Sequence, residues 1–459
     1  MSEFPFAPIC RREFLQRAAG AIAAAGATPT AFACASRDGP PPPPVGLNLI
    51  YIMADDLGFA DVSAYGRRDY RTPALDGLAS EGVRLTQAYS AGSVCSPTRV
   101  ALMTGRYPAR IEVGLHEPLT THPTGLSPEV PTLPRLLKAA GYDTALIGKW
   151  HLGMKPEYHP LNHGFDEFFG HLGPAVDYVS GIGSENHAPD LFEGTEPAQI
   201  QGYLTDVLTA RAVEYLSRRH RRPFFLSLQY NAPHWPWQAP GDPVYPDSLR
   251  WVNGGSPETY ARMVKSLDNG VGQVLTALRV AGLDATTLVI FTSDNGGERY
   301  SDMGRLRGRK ATLWEGGIRV AAIARWPGVI PPATTSDQVA ITMDWTATLL
   351  AAGGAQPAAE FPLDGVDLRA RLSGEKPVVR RELFWRTIER RRFKAMRSDD
   401  WKYLVDEQGI EHLFDLANDP EEAFDRAAER PTVLASFRTA YELWERQMLA
   451  PVALDSQYT

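Results

Sequence analysis

Four short apolar runs, each closing on a polar, turn-rich cluster, set the rhythm of this chain. Leu47 to Met53 leads into Ala54-Asp55-Asp56-Leu57-Gly58, and Tyr142 to Ile147 into Gly148-Lys149-Trp150-His151. Phe224 to Tyr230 leads into Asn231-Ala232-Pro233-His234, and Thr287 to Thr292 into Ser293-Asp294-Asn295-Gly296-Gly297. Runs of this length bounded by turn residues read as interior strands. Between them lie helical periods: Thr132 to Ala140, stopped by Gly141; Leu204 to Arg219; and Tyr260 to Ala281, with Met263, Val264, Leu267, Val271, Val274, Leu275 and Leu278 on one face. The alternation predicts an α/β fold, a large mostly parallel sheet sandwiched by helices. Ligands of such sheets sit beyond the carboxyl ends of the strands, where all four polar clusters fall.

The texture changes near residue 370. Glu382 to Thr387, Phe393 to Met396, Lys402 to Val405 and Ile410 to Leu416 read as short strands, and Pro431 to Leu449 as a helix. The expected organisation is a catalytic domain over 46–370 and a smaller C-terminal domain over 371–459, an antiparallel sheet with a helix.

The first 45 residues do not fit this pattern. Arg11-Arg12-Glu13-Phe14-Leu15 opens a mild Ala/Gly-rich run that ends at Ala31-Phe32-Ala33. Residues 1–34 therefore read as a twin-arginine-type export signal, and 35–45, with Pro40 to Pro44, as a stiff linker. The expected location is periplasmic or extracellular. Cys34 also admits a second reading, a lipid anchor. No later run reaches ~18 apolar residues, so no transmembrane span is expected.

Composition narrows the field further. The net charge of -7 over 459 residues, with no long basic stretch in the body, argues against a nucleic-acid partner. Of three cysteines, Cys10, Cys34 and Cys95, only Cys95 lies in the body, which excludes a disulfide framework there.

Candidate chemistry gathers at the predicted sheet edge. Asp55, Asp56, Asp294 and Asn295 are hard oxygen donors with no positive partner nearby in sequence. Three carboxylates brought together would repel one another without a cation, and oxygen ligation favours calcium or magnesium over zinc. Taken singly, each pair is an ordinary turn or cap. In Cys95-Ser96-Pro97-Thr98-Arg99, Pro97 suits the first turn of a helix, so Cys95 is expected just before a helix N-terminus with Arg99 beneath it. As a plain thiol it would be a low-pKa nucleophile of the protease kind, a reading that chemistry alone leaves open. Lys149, His151, His234 and Lys310 could form an anion clamp opposite the carboxylates, with Lys149 and His151 pointing the same way along a strand. Each, alone, could equally be solvated or satisfied in a loop.

Taken together, these blocks resemble the type I sulfatases of the alkaline phosphatase superfamily. The signature is Cys95-Ser96-Pro97-Thr98-Arg99 with Thr104-Gly105-Arg106. The four strand-end clusters accompany it in the family's order, as does Lys310-Ala311-Thr312-Leu313-Trp314-Glu315-Gly316-Gly317. Trp401-Lys402-Tyr403, Leu413-Phe414-Asp415-Leu416 and Asp419-Pro420-Glu421 extend the likeness to about residue 427. The resemblance implies an arylsulfatase-like sulfuric ester hydrolase acting on aryl or carbohydrate sulfates. It implies conversion of Cys95 to formylglycine by a formylglycine-generating enzyme. One hydroxyl of the hydrated aldehyde would attack sulfur, and loss of the other's proton would expel sulfate. Asp55, Asp56, Asp294, Asn295 and the modified Cys95 are the implied metal ligands, with calcium preferred to magnesium. Arg99 and His151 would hold the diol; Lys149, Lys310 and His234 would clamp sulfate, and His234 or Lys310 would protonate the leaving oxygen. Arg309 before Lys310 departs from the pattern and leaves open which of Arg307, Arg309 and Lys310 reaches sulfate. Trp235, Trp237 and Tyr178 could stack on a sugar or aryl ring, or pack beneath the loop.

Two other readings compete. A phosphodiesterase or phosphonate monoester hydrolase of the same superfamily would share the metal and clamp. A non-catalytic carbohydrate-binding relative would keep Cys95 as a thiol.

Overall fold

Alternation along the central strand explains how the sheet comes to be buried on both sides. In β1 (Asn48–Ala54), Ile50, Ile52 and Ala54 enter one hydrophobic cluster, while Leu49, Tyr51 and Met53 enter another. Both sets are apolar, as a strand covered on both faces requires. The first cluster is completed by the helices Pro73–Ser80, Leu204–Ser217 and Pro257–Val280; the second by Cys95–Thr104, Leu133–Ala139 and Thr342–Ala352. The sequence periodicity of 257–280 is matched by burial of its apolar stripe, and Ser256 caps it by accepting from Thr259 N at 3.1 Å.

The computed structural model describes residues 46–451 except 122, 186, 246–251 and 388–391. The export-signal, linker and Cys34 expectations lie outside the described residues. Besides β1, the large sheet contains β2 (Val83–Tyr89), β3 (Asp143–Lys149), β4 (Glu167–His171), β5 (Phe192–Glu193), β6 (Glu196–Pro197), β7 (Phe224–Gln229), β8 (Thr287–Ser293), β9 (Arg319–Arg325), β10 (Thr334–Ser336) and β11 (Ala340–Ile341). Their order is β10-β2-β9-β8-β1-β7-β3-β4-β5-β6, with β11 also on β2. The centre, β8-β1-β7-β3-β4, is parallel. β9 runs antiparallel to both β8 and β2, so β2 points the same way as the central strands. The sheet is therefore mixed, parallel where the polar clusters leave it.

A second sheet, β12 (Glu382–Arg386), β13 (Lys394–Ser398), β14 (Trp401–Val405) and β15 (Glu411–Asp415), is an antiparallel meander. With the helix Pro431–Glu445 it shares a hydrophobic cluster that also takes in Leu313, Trp314, Ile341 and Met343 from the large-sheet region. The expected C-terminal antiparallel sheet and helix are both present. Among the described residues, no helix is long and apolar enough to cross a membrane.

Candidate active site

Six segments carry candidate chemistry, and four of them meet because their strands end together. Asp55 and Asp56 follow β1, Lys149 ends β3, Gln229 ends β7, and Asp294 follows β8. Backbone hydrogen bonds tie the ends to one another: Asp55 N donates to Ala232 O and Asp294 N to Ala54 O, both at 3.1 Å. Ala311 N donates to Ser93 O at 2.8 Å, which joins the Lys310 segment to the Cys95 segment. The approach is close enough to demand glycine. A Cβ on Gly148 would lie 1.9 Å from Gln229 O, and one on Gly296 1.9 Å from Gly316 O.

Cys95 is the first residue of the helix Cys95–Thr104, not the residue before it, and every residue of that helix is buried. Arg99, one turn on, reaches under the site: Nη2 donates to Asp294 Oδ2 at 2.9 Å and lies 3.7 Å from Asp55 Oδ1. Its Nη1 donates to Gln229 Oε1 and Lys149 O, each at 3.2 Å. The Cys95 thiol faces Asp55 Oδ1 at 3.3 Å and Asp56 Oδ1 at 4.0 Å. Burial and the charge of Asp55 push this thiol well up, the reverse of the low-pKa expectation. Neither His151 nor His234 hydrogen-bonds the sulfur, so the protease-like pairing is not formed.

The carboxylates do have positive partners, supplied from far along the chain. Lys149 Nζ lies 2.7 Å from Asp55 Oδ2, Lys310 Nζ 2.7 Å from Asp56 Oδ2, and Arg99 pairs with Asp294. Three buried negative charges thus face three positive ones. The expectation that repulsion alone calls for a cation is corrected: lysine and arginine already offset it. The case for a metal rests instead on the donors. Oxygens of Asp55 and Asp56, Cys95 Sγ and a His234 ring nitrogen lie within 4.8 Å of one another. Asn295 Nδ2 donates to Asp56 Oδ1 at 2.7 Å, which leaves Asn295 Oδ1 buried without a partner. An orphaned amide oxygen beside three carboxylates suits a hard divalent cation. Asp294 is pushed up to about 6 by burial and Asp55, against Arg99 and Lys149.

His151 is placed by a different backbone from the one expected. β3 stops at Lys149, and His151 takes a left-handed conformation (φ 52°), as does Asp56 (φ 62°). The imidazole still reaches the site, with neither ring nitrogen hydrogen-bonded. Burial and the charges of Lys149 and Arg99 hold its pKa well below the usual range. His234, 3.5 Å from Asp56 Oδ2, is likewise held down by burial and Lys310. Lys310 is held well above the usual lysine range: burial, the largest single effect, opposes the charge, but Asp56 and the other negative groups around it together outweigh burial. Arg307 and Arg309 take other positions from Lys310. Arg307 stacks on Trp314 and donates to Glu422 O, Arg309 is exposed, and Lys310 alone reaches the carboxylates.

All ten sequence candidates, Asp55, Asp56, Cys95, Arg99, Lys149, His151, His234, Asp294, Asn295 and Lys310, therefore lie in this one constellation. Two members were missed. Gln229 holds Arg99, and its signal was present as a glutamine closing a mostly apolar strand. Glu117 contributes an oxygen within 4.8 Å of Cys95 Sγ and a His151 ring nitrogen; it sits in no motif. The aromatic residues divide. Tyr178 and Trp237 pack beneath the loop, Tyr178 Oη donating to Asn231 O and His234 O, while Trp235 is partly exposed against the His234 ring.

Comparison with known proteins follows this geometry. A family model described as Sulfatase matches residues 47–355. The N-acetylgalactosamine-6-sulfatase of Rattus norvegicus is 35% identical over 355 residues, 72% of this chain and 66% of the relative. The steryl-sulfatase of the same species is 33% identical over 430 residues, 75% of this chain and 72% of the relative. Among solved structures, Ps i-CgsB in complex with k-i-k-neocarrahexaose superposes with a TM-score of 0.81 at 29% identity, covering 90% of this chain and 96% of that one. The phosphonate monoester hydrolase of Agrobacterium radiobacter shares the fold, with a TM-score of 0.66 at 20% identity over 90% and 98% of the two chains. The chain spans 66% of the length of the first curated relative.

Proposed function

The chain belongs to the sulfatase family, and from that premise we propose that it hydrolyses sulfate esters to an alcohol and inorganic sulfate. One observation carries the reading: oxygen donors, a helix-borne Cys95 and three buried cations converge at the carboxyl edge of the parallel strands. The substrate class is carbohydrate or aryl sulfates. The structural neighbour Ps i-CgsB has been solved in complex with k-i-k-neocarrahexaose, which supports a glycan.

The residues divide the work by position. Asp55, Asp56, Asp294 and Asn295, with residue 95, would hold a divalent cation, calcium in preference to magnesium. When bound, that ion would lower the pKa of the attacking hydroxyl and offset charge on sulfate. Formylglycine at position 95 would supply, as its hydrate, the attacking oxygen and a second hydroxyl whose deprotonation lets sulfate leave. Arg99 braces the base of the site against Asp294 and Gln229. His151, whose ring nitrogens have no hydrogen-bond partner, would take the proton of that second hydroxyl. Lys149 and Lys310 bring positive charge to the sulfate oxygens, and His234 or Lys310 donates to the departing alcohol oxygen. The protein would act after export, once a formylglycine-generating enzyme has converted Cys95.

The test is a sulfate-release assay on protein co-produced with that converting enzyme, with peptide mass across residue 95 as the measure of conversion. Release from aryl or sugar sulfates in calcium is expected. Fully converted protein that frees no sulfate from a broad panel would sink the proposal. His234→Ala should slow an alkyl sulfate more than a nitrophenyl sulfate, whose leaving group needs no proton; equal losses would remove His234 as the acid.

A further inference from the structure

If His234 or Lys310 protonates the departing alcohol oxygen, the group that carries the sulfate lies against whatever walls that flank of the site. Trp235 stands there. Its ring lies 4.6 Å from the His234 ring, tilted by 40°, and its carbonyl accepts from His234 Nδ1 at 2.6 Å. His234 is in turn 3.5 Å from Asp56 Oδ2. The neighbouring aromatic residues are committed elsewhere. Trp237 is buried and donates through its indole to Val252 O at 3.2 Å, and Tyr178 is buried and donates to Asn231 O and His234 O. Trp235 is partly exposed, and among the described residues its N–H has no hydrogen-bond partner.

Glu298 reaches the same flank from another segment. Lys310 N donates to Gly297 O at 3.1 Å, so Glu298 follows the residue on which Lys310 rests. Ser301 closes the turn: Glu298 N donates to Ser301 Oγ at 2.9 Å, Ser301 N to Glu298 O at 3.0 Å, and Ser301 Oγ to Asp56 O at 3.3 Å. The Glu298 side chain is half-buried and near enough to Lys310 to add to the negative charge around it. Among the described residues its carboxylate accepts no hydrogen bond.

An indole held beside a reacting centre covers the flat face of a ring and offers an open alkyl chain far less contact. A carboxylate with open lone pairs accepts from hydroxyls, and a nitrophenyl ring has none to give. Together the two ask for a ring that is apolar on one face and hydroxylated at its edge, which describes a sugar. Resting on the sulfatase reading, the geometry points to Trp235 and Glu298 as specificity-determining residues for the alcohol half of the substrate. Trp235 stacks on the sulfated ring, and Glu298 accepts a hydrogen bond from one of its hydroxyls. The substrate class is then a sugar sulfate rather than an aryl or acyclic alkyl sulfate.

The experiment uses full-length, converted, calcium-loaded enzyme. Its probes are a set of hexose monosulfates, 4-nitrophenyl sulfate and propyl sulfate. In kcat/KM the wild type should favour hexose sulfates over propyl sulfate, although both release an unactivated alcohol. Trp235→Ala should lower the hexose-to-propyl and aryl-to-propyl ratios by about 10- to 100-fold, chiefly through KM, and Trp235→Phe should keep part of both. Glu298→Ala should lower the hexose-to-propyl ratio about 10-fold, and Glu298→Gln, which keeps an acceptor, should recover part of it. Hexose and propyl esters both need a proton on leaving, so an effect passed through His234 or Lys310 cancels in that ratio. Equal losses on all three probes for Trp235→Ala, a hexose-to-propyl ratio unmoved by Glu298→Ala, or a wild type that prefers propyl sulfate overturns the assignment. Wild-type enzyme that releases sulfate from nothing overturns the sulfatase reading itself, a distinct result.

Discussion

Two buried ionic clusters flank the segment Lys310–Gly317, and they are built on opposite plans. At one end Lys310 joins the constellation of Asp55, Asp56, Asp294, Lys149 and Arg99. At the other, Glu315 accepts from Tyr89 Oη at 2.6 Å and pairs with Lys402 at 3.0 Å and Arg319 at 3.4 Å. Lys402 also pairs with Glu422 at 2.8 Å, and Glu422 Oε2 accepts from Glu315 N at 2.6 Å. Arg397 completes this group through the Tyr89 hydroxyl. Both clusters are largely buried and pair carboxylates with lysine and arginine, so ion pairing does not tell them apart. Unfilled hydrogen-bonding capacity does. The first keeps both nitrogens of His151, Asn295 Oδ1, Asn231 Oδ1 and Arg99 Nε without partners. In the second, Lys402 pairs with both carboxylates, Glu422 Oε2 accepts from Glu315 N, and of the named side chains only Glu422 Oε1 lacks a hydrogen-bond partner, 2.8 Å from Lys402 Nζ. Low dielectric makes orphaned atoms costly, so several in one place suit a site that binds a ligand. The second cluster fixes the segment on which Lys310 stands.

The sharpest way to break this contrast is to remove the group proposed to be the nucleophile of the first cluster. Cys95→Ala should lower sulfate release by at least about 10⁴-fold while the melting temperature stays near that of the wild type. Turnover within about 100-fold of wild type would mean that the nucleophile lies elsewhere.

A matched pair of lysine substitutions tests the clusters against each other. Lys402→Met strands Glu315 and Glu422 in a dry interior and should cost about 3–5 kcal/mol in denaturant unfolding. Lys149→Met leaves Asp55 in a site that a cation can neutralise. In calcium it should cost less stability than Lys402→Met but more than about 100-fold in kcat/KM. The comparison fails if Lys149→Met proves the more destabilising of the two.

Much of the first cluster was legible in the sequence, and little of the second. Asp55, Lys149, His234 and Asp294 follow apolar runs whose periodicity is strong, and a parallel sheet brings such strand ends together whatever the order of its strands. The partners of the aspartates were not legible, because Lys149 lies 94 residues from Asp55 and Lys310 254 from Asp56. Only the folded register shows that they meet. Strands β2, β4 and β9 escaped because their edges carry polar side chains or glycine, as in Arg84, Thr86, Gln87 and Gly170, which blur the apolar run. Glu315 and Lys402 were noticed only as parts of family-like blocks. Nothing in either block announces a buried pair 87 residues apart. Glu117 has no local signal at all, since a glutamate in a Pro-containing loop is ordinarily solvated.

Removing the cation is a milder way to sharpen the same contrast, because it empties one cluster and spares the other. Dialysis against a chelator should abolish turnover, and calcium at about 100 times its Kd should add about 2.7 kcal/mol to stability. Asp55→Asn should lose most of that calcium-dependent gain, whereas Lys402→Met should keep it despite its lower baseline. A gain of equal size in Asp55→Asn would move the cation away from this edge.

The smallest effect belongs to Glu422, and it separates a positioning cluster from a chemical one by pH. Burial and the neighbouring charge of Glu315 push Glu422 up to about 7 from an ordinary 4.5, while Lys402 opposes the shift. The folded protein therefore holds a proton here that the unfolded chain releases above about pH 4.5. Its stabilising contribution is complete below that value and is lost as pH rises through about 7, with a slope of at most about 1.4 kcal/mol per pH unit. Asp61, Asp190 and Asp268, each raised to about 6 by burial, slope the same way, so only the difference between wild type and Glu422→Gln isolates this group. Glu422→Gln should flatten the stability curve between pH 5 and 7. Because Glu422 touches neither the metal donors nor the clamp, the pH profile of kcat/KM should keep its shape. A displaced activity profile with an unchanged stability slope would mean that the second cluster takes part in the chemistry, and the distinction between the two would fall.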